Sequence, residues 1–340
     1  MKKNYRGICL IGAGRAGMIH ARNFQRSVPG FRIVSVADPV EEAAASACRE
    51  LEIEKYYLDY KQALEDEETD AVVIVSPTKY HCEIAVCAAK HRKDILLEKP
   101  MAMNARECVQ IMEAVKDSGV KLQIGFMRRF DESFQAAKKA VEAGEIGSVV
   151  LVKSLTRGPS TPRPWMYDIK KSNGPLAEVN SHDIDTMRWF TGSEFQTLYA
   201  VGGNYRCPDA RTEFPDFYDN VVLAASFANG MQGILDGAQG VGYAYDAKVE
   251  VLGTKGCISI GSVRGKDVLL CSSATQKGNY PLVESWRNLF KDAYLKEDRA
   301  FIDCIVQDTE PFVTGMDGKM AVRVVNAGNI SIMEKRMVTL

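Results

Sequence analysis

Gly7-Ile-Cys-Leu-Ile-Gly12-Ala13-Gly14-Arg15-Ala16-Gly17 runs from an apolar segment of strand length into three glycines spaced G-x-G-x-x-G. That order reads as a strand, a tight turn and the start of a helix. Gly12 allows the turn, Gly14 lets the backbone approach a pyrophosphate, and Gly17 lets helix and strand pack closely. The free N–H groups and dipole at the helix start would hold the phosphates. Outward from this stretch, apolar runs at Gly7–Ile11, Arg32–Ala37, Ala71–Ser76, Asp94–Leu97 and Lys121–Ile124 alternate with amphipathic segments at Ala16–Ser27, Val40–Leu51, Tyr80–His91 and Asn104–Ser118. Strands bracketed by helices of this length form βαβ units, so the sequence predicts an α/β dinucleotide-binding domain with a parallel sheet over residues 1–125. Asn104 has the chemistry to cap the last of these helices and Gly119 to end it.

From about Gly147 strands dominate, at Ser148–Ser154, Thr197–Val201, Val221–Phe227, Met231–Asp236, Lys248–Leu252, Cys257–Ile260 and Val268–Cys271. Short turns such as Ala228-Asn-Gly230 argue for antiparallel pairing. One helix is expected at roughly Pro175–Phe190, and helical patterns return near 285–307 and 316–336. Residues 126–340 therefore read as an α+β domain with a large, mainly antiparallel open sheet. The chain of 340 residues has a formal charge of −1 and is 46% hydrophobic. A nucleic-acid or anionic-membrane binder would show a basic excess, and a disordered chain would lack the apolar residues. The most apolar stretch, Ala71–Val75, falls far short of the ~20 residues of a spanning helix. The basic start followed by an apolar run has the superficial look of a signal peptide but breaks at Gly12 and Arg15, and reads as the first strand. Nine scattered cysteines without a C-x-x-C pair point to a reduced, cytoplasmic chain with neither a disulfide framework nor a metal site.

Four places carry candidate chemistry. Asp38 closes the second strand, where an acid takes the ribose hydroxyls and repels a 2′-phosphate, favouring NAD over NADP; the alternative is that Asp38-Pro39 caps the next helix, and Arg15 is a nearby partner for a phosphate. Glu98-Lys99-Pro100 ends the fifth strand, at the sheet edge where ligands bind, and Pro100 biases Lys99 toward an extended direction. A lysine there suits stabilisation of a substrate alkoxide. In Leu176-Ala-Glu178-Val-Asn-Ser-His182-Asp-Ile-Asp185, one helix would put Glu178, His182 and Asp185 on one face, with His182 a general base flanked by carboxylates. The loop Arg157–Lys171 holds Arg163, Trp165 and Tyr167 between prolines and reads either as a lid over a sugar ring or as a stiffened loop. Asp216–Asp219 is a weaker substrate candidate, and His20 and His81 read as packing or cofactor-rim residues.

Taken in order, GAGRAG, Glu98-Lys99-Pro100, Gly125-Phe-Met-Arg-Arg-Phe-Asp131 and the helix ending His182-Asp-Ile-Asp185 resemble the Gfo/Idh/MocA oxidoreductases, and among these the inositol 2-dehydrogenases. The resemblance extends to Tyr243-Ala-Tyr-Asp246 and Phe301-Ile-Asp-Cys304. It implies a Rossmann domain, a second domain whose open sheet packs against another subunit in a homodimer or homotetramer, and NAD-dependent oxidation of a ring hydroxyl of a polyol or sugar. By position it makes Lys99 and His182 catalytic, with Glu178 beside them, and puts Arg128 and Tyr245 with the substrate, to which the lid reading of the 157–171 loop adds Trp165. The cofactor set expected is Gly12, Ala13, Gly14, Arg15, Ala16, Gly17, Asp38, Ser76, Thr78, His81, Glu98 and Lys99, with no metal. Glu178 stands where the family usually has aspartate, and Asn173-Gly174 where a glycine pair is usual. Glu178 and the Pro/Trp loop keep open a sugar or glycoside dehydrogenase acting at ring C3; a glycoside-cleaving enzyme that uses a 3-keto intermediate is a third reading, and a non-catalytic NAD-binding regulator a fourth, opposed by the presence of both Lys99 and His182.

Overall fold

A computed structural model describes residues 5–272 and 277–340, so the basic start of the leader-like segment lies outside the described residues. The chain forms two compact units: one runs to Phe130 and takes in Asp292–Val322, and the other comprises Asp131–Lys291 and Arg323–Leu340. The first is built on a parallel sheet of β1 (Arg6–Ile11), β2 (Phe31–Ala37), β3 (Lys55–Tyr57), β4 (Ala71–Ile74), β5 (Asp94–Glu98) and β6 (Leu122–Gly125), in the order β3-β2-β1-β4-β5-β6. Its connections are α1 (Gly17–Ser27), α2 (Glu41–Leu51), α3 (Tyr60–Glu65), α4 (His81–Lys90) and α5 (Ala105–Ser118). All five expected strands are present; β3 and α3 are additions. The strand order reverses between β1 and β4, which makes the loops leaving those strands the crevice of this sheet. Asn104 accepts from the Glu107 N–H and Gly119 closes α5 at φ 69°, so both predicted caps act as caps.

The loop after β1 is set by backbone proximity. A Cβ on Gly17 would lie 2.1 Å from the Gly12 carbonyl oxygen, and one on Gly12, at φ +103°, would lie 2.7 Å from the Val75 oxygen. Helix, turn and neighbouring strand therefore meet with no room for side chains. Around Gly14, by contrast, a Cβ would meet nothing within 4 Å.

The second unit begins with α6 (Glu132–Glu142) and carries a seven-stranded sheet. Its strands are β7 (Val149–Gly158), β8 (Phe195–Gly203), β9 (Asn220–Phe227), β10 (Gln232–Gln239), β11 (Asp246–Gly253), β12 (Cys257–Ile260) and, near the C-terminus, β15 (Val338–Thr339). They lie in the order β12-β11-β7-β10-β9-β8-β15, antiparallel except where β10 runs parallel to β7. A separate hairpin pairs β13 (Leu270–Ser272) with β14 (Lys277–Asn279). Alternation sorts the sheet's faces: Val152, Val221, Leu223, Leu235 and Val251 are buried, whereas Val150, Val201, Val222, Ile234 and Leu252 on the opposite face are exposed. Beyond α6, the helices between Asp131 and Lys291 are α7 (Ile169–Ser172), α8 (Gly174–Glu178), α9 (Ser181–Thr191) and α10 (Trp286–Leu289).

Two expectations are corrected here. The single helix at Pro175–Phe190 is two helices, because the chain leaves helical geometry at Asn180 (φ −91°, ψ 0°), whose N–H turns back to the Pro175 carbonyl while its own carbonyl receives the Ile184 N–H that opens α9. Nor do residues 126–340 form one contiguous unit. Within α11 (Lys291–Val306), Phe301, Ile302 and Cys304 are buried in the same apolar cluster as Ile8, Leu10, Phe24 and Ile33, so Asp292–Val322 completes the first core. The division falls inside the last helix, α12 (Gly315–Glu334).

Gly17→Ala forces a methyl against a carbonyl oxygen that cannot withdraw, and we expect it to lower stability by about 1–3 kcal/mol, read as an earlier unfolding transition in denaturant. Gly14→Ala, opening onto free space, leaves that transition where it is.

Candidate functional site

In the first unit the candidates gather at the carboxyl ends of β1, β2, β4 and β5. The Gly-rich loop is tied to β2 by Asp38, whose Oδ2 accepts the Ala13 N–H at 2.8 Å and whose Oδ1 accepts the Val40 N–H at 2.9 Å. Asp38 thus supports both the loop and the approach to α2, and each oxygen keeps a lone pair for a further donor. Past the end of β4, the Ser76 Oγ is buried with no hydrogen-bond partner among the described residues. An orphaned hydroxyl, an open Cα at Gly14 and an exposed Arg15 fit the phosphates and ribose of a dinucleotide.

The end of β5 is braced from below. The Lys99 N–H donates to the Glu98 Oε2 at 2.9 Å, and the Lys99–Pro100 peptide is cis, a geometry the extended reading of Lys99 did not include. His81, read as a cofactor-rim residue, is buried, with Nδ1 2.8 Å from the Pro100 carbonyl and Nε2 2.7 Å from that of Ser76. Burial pushes its pKa below the ordinary histidine value, while the two carbonyls it faces act in the opposite direction. Thr78 is buried in the short turn before α4, and Arg128 is buried in the turn after β6.

Sequence reasoning missed one cluster. His20 of α1 is fully buried, with Nδ1 2.6 Å from the Asp298 Oδ1 and Nε2 3.3 Å from the Glu98 Oε1. Burial disfavours its charge, but the two carboxylates outweigh that and hold its pKa well above the ordinary value. Beside it Glu297 is also fully buried, its two carboxyl oxygens without a hydrogen-bond partner among the described residues, and burial pushes its pKa well up. The only advance signal was a histidine among the inward positions of α1.

In the second unit the richest segment is anchored through Asp183. Its Oδ1 accepts from the Ser154 and Thr156 hydroxyls of β7 at 2.5 and 2.9 Å, and its Oδ2 accepts from the Asn180 Nδ2 at 2.9 Å. That holds the first turn of α9, and with it the buried His182, against the sheet. Asp185 is buried on the same helix, 3.9 Å from an Arg188 nitrogen. Glu178, half-buried, lies on α8 on the far side of the Asn180 break, so the helical spacing that grouped it with His182 does not apply. In the 157–171 loop Trp165 is 46% exposed, whereas Tyr167 is buried against Phe214 and Phe217 with its hydroxyl on Asp209. Tyr245 is buried, edge-on to Phe290. Asp219 is fully buried and accepts the Tyr205 and Arg206 N–H groups, which ties the turn after β8 together. A depression on the outer sheet face, lined by Arg157, Arg206, Asp236 and Tyr243 among others, contains none of the assigned site residues.

Residues 6–126 match the family described as "Oxidoreductase family, NAD-binding Rossmann fold", and residues 134–259 match the GFO/IDH/MocA C-terminal domain. The chain belongs to the Gfo/Idh/MocA oxidoreductases. Among its family relatives, a scyllo-inositol 2-dehydrogenase (NAD(+)) of Bacillus subtilis is 35% identical over 93% of this chain and 90% of its own length. A myo-inositol 2-dehydrogenase of Thermotoga maritima is 33% identical over 98% of each chain. The crystal structure of scyllo-inositol dehydrogenase from Lactobacillus casei with bound NAD(H) and scyllo-inositol superposes with a TM-score of 0.89 at 26% identity, covering 98% of this chain and 99% of that one. As a Gfo/Idh/MocA oxidoreductase the chain has NAD as its cofactor, and the Gly-rich loop, Asp38 and Ser76 are the groups that would hold it. No helix among the described residues is long and apolar enough to cross a membrane.

The buried cluster makes stability fall with alkali. A raised folded pKa means that the folded state keeps its proton longest, so stability drops as pH climbs past the ordinary carboxyl value near 4.5 for Glu297 and past 6.5 for His20. Thermal melts from pH 5 to 9 should show that fall, and Glu297→Gln should flatten it and raise Tm at pH 8 by about 2–4 °C.

Proposed function

We propose that this oxidoreductase converts a ring hydroxyl of an inositol-like cyclic polyol to a ketone. The similarity to scyllo- and myo-inositol 2-dehydrogenases along nearly the whole of both chains carries the reading. NAD, when bound, supplies the hydride acceptor. Lys99 donates to the reacting oxygen and stabilises its developing negative charge. His182 removes the hydroxyl proton, and Glu178 orients the histidine or a neighbouring hydroxyl. Arg128, Trp165 and Tyr245 contact the ring. A second reading, oxidation of a sugar or glycoside at ring C3, is favoured by Glu178 itself, whose extra methylene reaches a differently placed hydroxyl.

NADH formation at alkaline pH against myo-inositol, scyllo-inositol, glucose and an aryl glucoside tests the two. Turnover of an inositol is expected, and turnover of glucose or the glucoside alone selects the second reading. Lys99→Ala and His182→Ala should each lose about 100-fold or more in kcat while NADH binding, followed by fluorescence, stays within a few-fold. A near-normal rate in His182→Ala removes the base assignment.

We propose in addition that the exposed sheet face pairs with a second copy of the chain in a homodimer or homotetramer. Val201 and Val222 are direct cross-strand neighbours on it, and both are about half exposed. Such an apolar patch suits a self-complementary interface. Light scattering should give a multiple of the chain mass, and Val222→Glu should return the protein to a monomer; a monomeric parent protein would overturn the assignment.

A further inference from the structure

The Glu98-Lys99 turn is held from a place remote in sequence. The Glu98 carboxylate divides its oxygens, Oε2 to the Lys99 N–H at 2.9 Å and Oε1 to the His20 Nε2 at 3.3 Å. Room for that carboxylate comes from β6, where Gly125 pairs with Glu98 and a Cβ would approach its Cδ and Oε2 to 3.1 Å. The other His20 nitrogen is fixed by Asp298, which the Asn23 side chain in turn holds at 2.7 Å. The Tyr294 ring closes the cluster edge-on, with its centroid 5.3 Å from that of His20. A buried ring held at both nitrogens and packed against Tyr294 has little rotational freedom, so the carboxylate it holds has little.

We propose that His20 is a positioning residue for Lys99: from the helix that follows the Gly-rich loop it fixes the Glu98 carboxylate, and the carboxylate fixes the backbone from which Lys99 projects. This rests on the reading of Lys99 as the group that stabilises the reacting oxygen. A histidine charged between two carboxylates is the protonation state in which both nitrogens donate, and its raised pKa agrees with that geometry. The arrangement ties the loop for phosphates and the strand end for chemistry to one rigid part of the first unit, so the lysine is directed before any ligand arrives.

The test uses the full chain and side chains that keep one nitrogen at a time. His20→Gln extends an amide toward the Nε2 position and so toward Glu98; His20→Asn keeps only the reach of Nδ1 toward Asp298. With NAD and the polyol that gives most turnover, we expect His20→Asn to lose tenfold or more in kcat with the KM for NAD within threefold, and His20→Gln to recover most of the loss. In a Lys99→Ala background His20→Asn should change kcat less than twofold, since a residue acting through the lysine has nothing left to direct. Independently of turnover, amide hydrogen exchange of the NAD-free protein should show protection lost at the Lys99 N–H in His20→Asn, kept in His20→Gln, and unchanged in β1 and β4. Should His20→Asn fail to fold, Glu98→Gln, which turns an amide group toward His20, is measured in the same way with the same expectation. His20→Asn (or Glu98→Gln) with a wild-type kcat while Lys99→Ala is inactive overturns this inference alone, as does an additive loss in the double variant. Lys99→Ala with normal turnover overturns the reading of Lys99 and this inference together.

Discussion

One backbone contact, between Gly17 and the Gly12 carbonyl, governs the first unit. With 2.1 Å between a would-be Cβ and that oxygen, only glycine lets α1 start this close to β1. The close start has two results. It sets the loop at the start of α1 with open space at Gly14, where a Cβ would meet nothing within 4 Å. It also fixes where every later residue of α1 points, so that His20 enters the core beneath β5 and meets Glu98. The same proximity thus makes the dinucleotide loop and sets the support of the lysine-bearing strand end.

The second unit solves a different problem, that of holding a helix at its polar end. Asp183 is fully buried, and a bare carboxylate there would cost several kcal/mol. Ser154, Thr156 and Asn180 supply three donors, which turns the penalty into a lock between α9 and β7. Gly237 completes it, since a Cβ there would lie 2.2 Å from the Asn180 Oδ1. His182 is adjacent in the chain to that lock, so a neighbour's hydrogen bonds hold the turn that carries it.

These two arrangements show where a single sequence is readable. The glycine spacing and the alternation of periods named the parallel sheet, because both are local and the alternation repeats over some 120 residues of the chain. The break at Asn180 carried no such local sign: its side chain makes no cap hydrogen bond to α9 and donates to Asp183 instead, so the segment reads as one helix. β3 was invisible for another reason, being three mostly exposed residues at a sheet edge with no period to detect. The return of α11 to the first core and the partners of His20 lie beyond any local reading. Periodicity reveals that a helix has an apolar face, but not which sheet takes it.

That return has a consequence in time. His20 and Asp298 are 278 residues apart in the chain. At the 5–20 residues per second of ribosomal synthesis, the histidine leaves the ribosome roughly 14–56 s before its partner does. Over that interval Asp131–Lys291 is made and released, while Ile8, Leu10 and Phe24 still lack Phe301 and Ile302. The unit begun first therefore waits for its core until most of the second has been made, and a nascent chain stalled anywhere before α11 carries a dinucleotide fold whose core is open on one side.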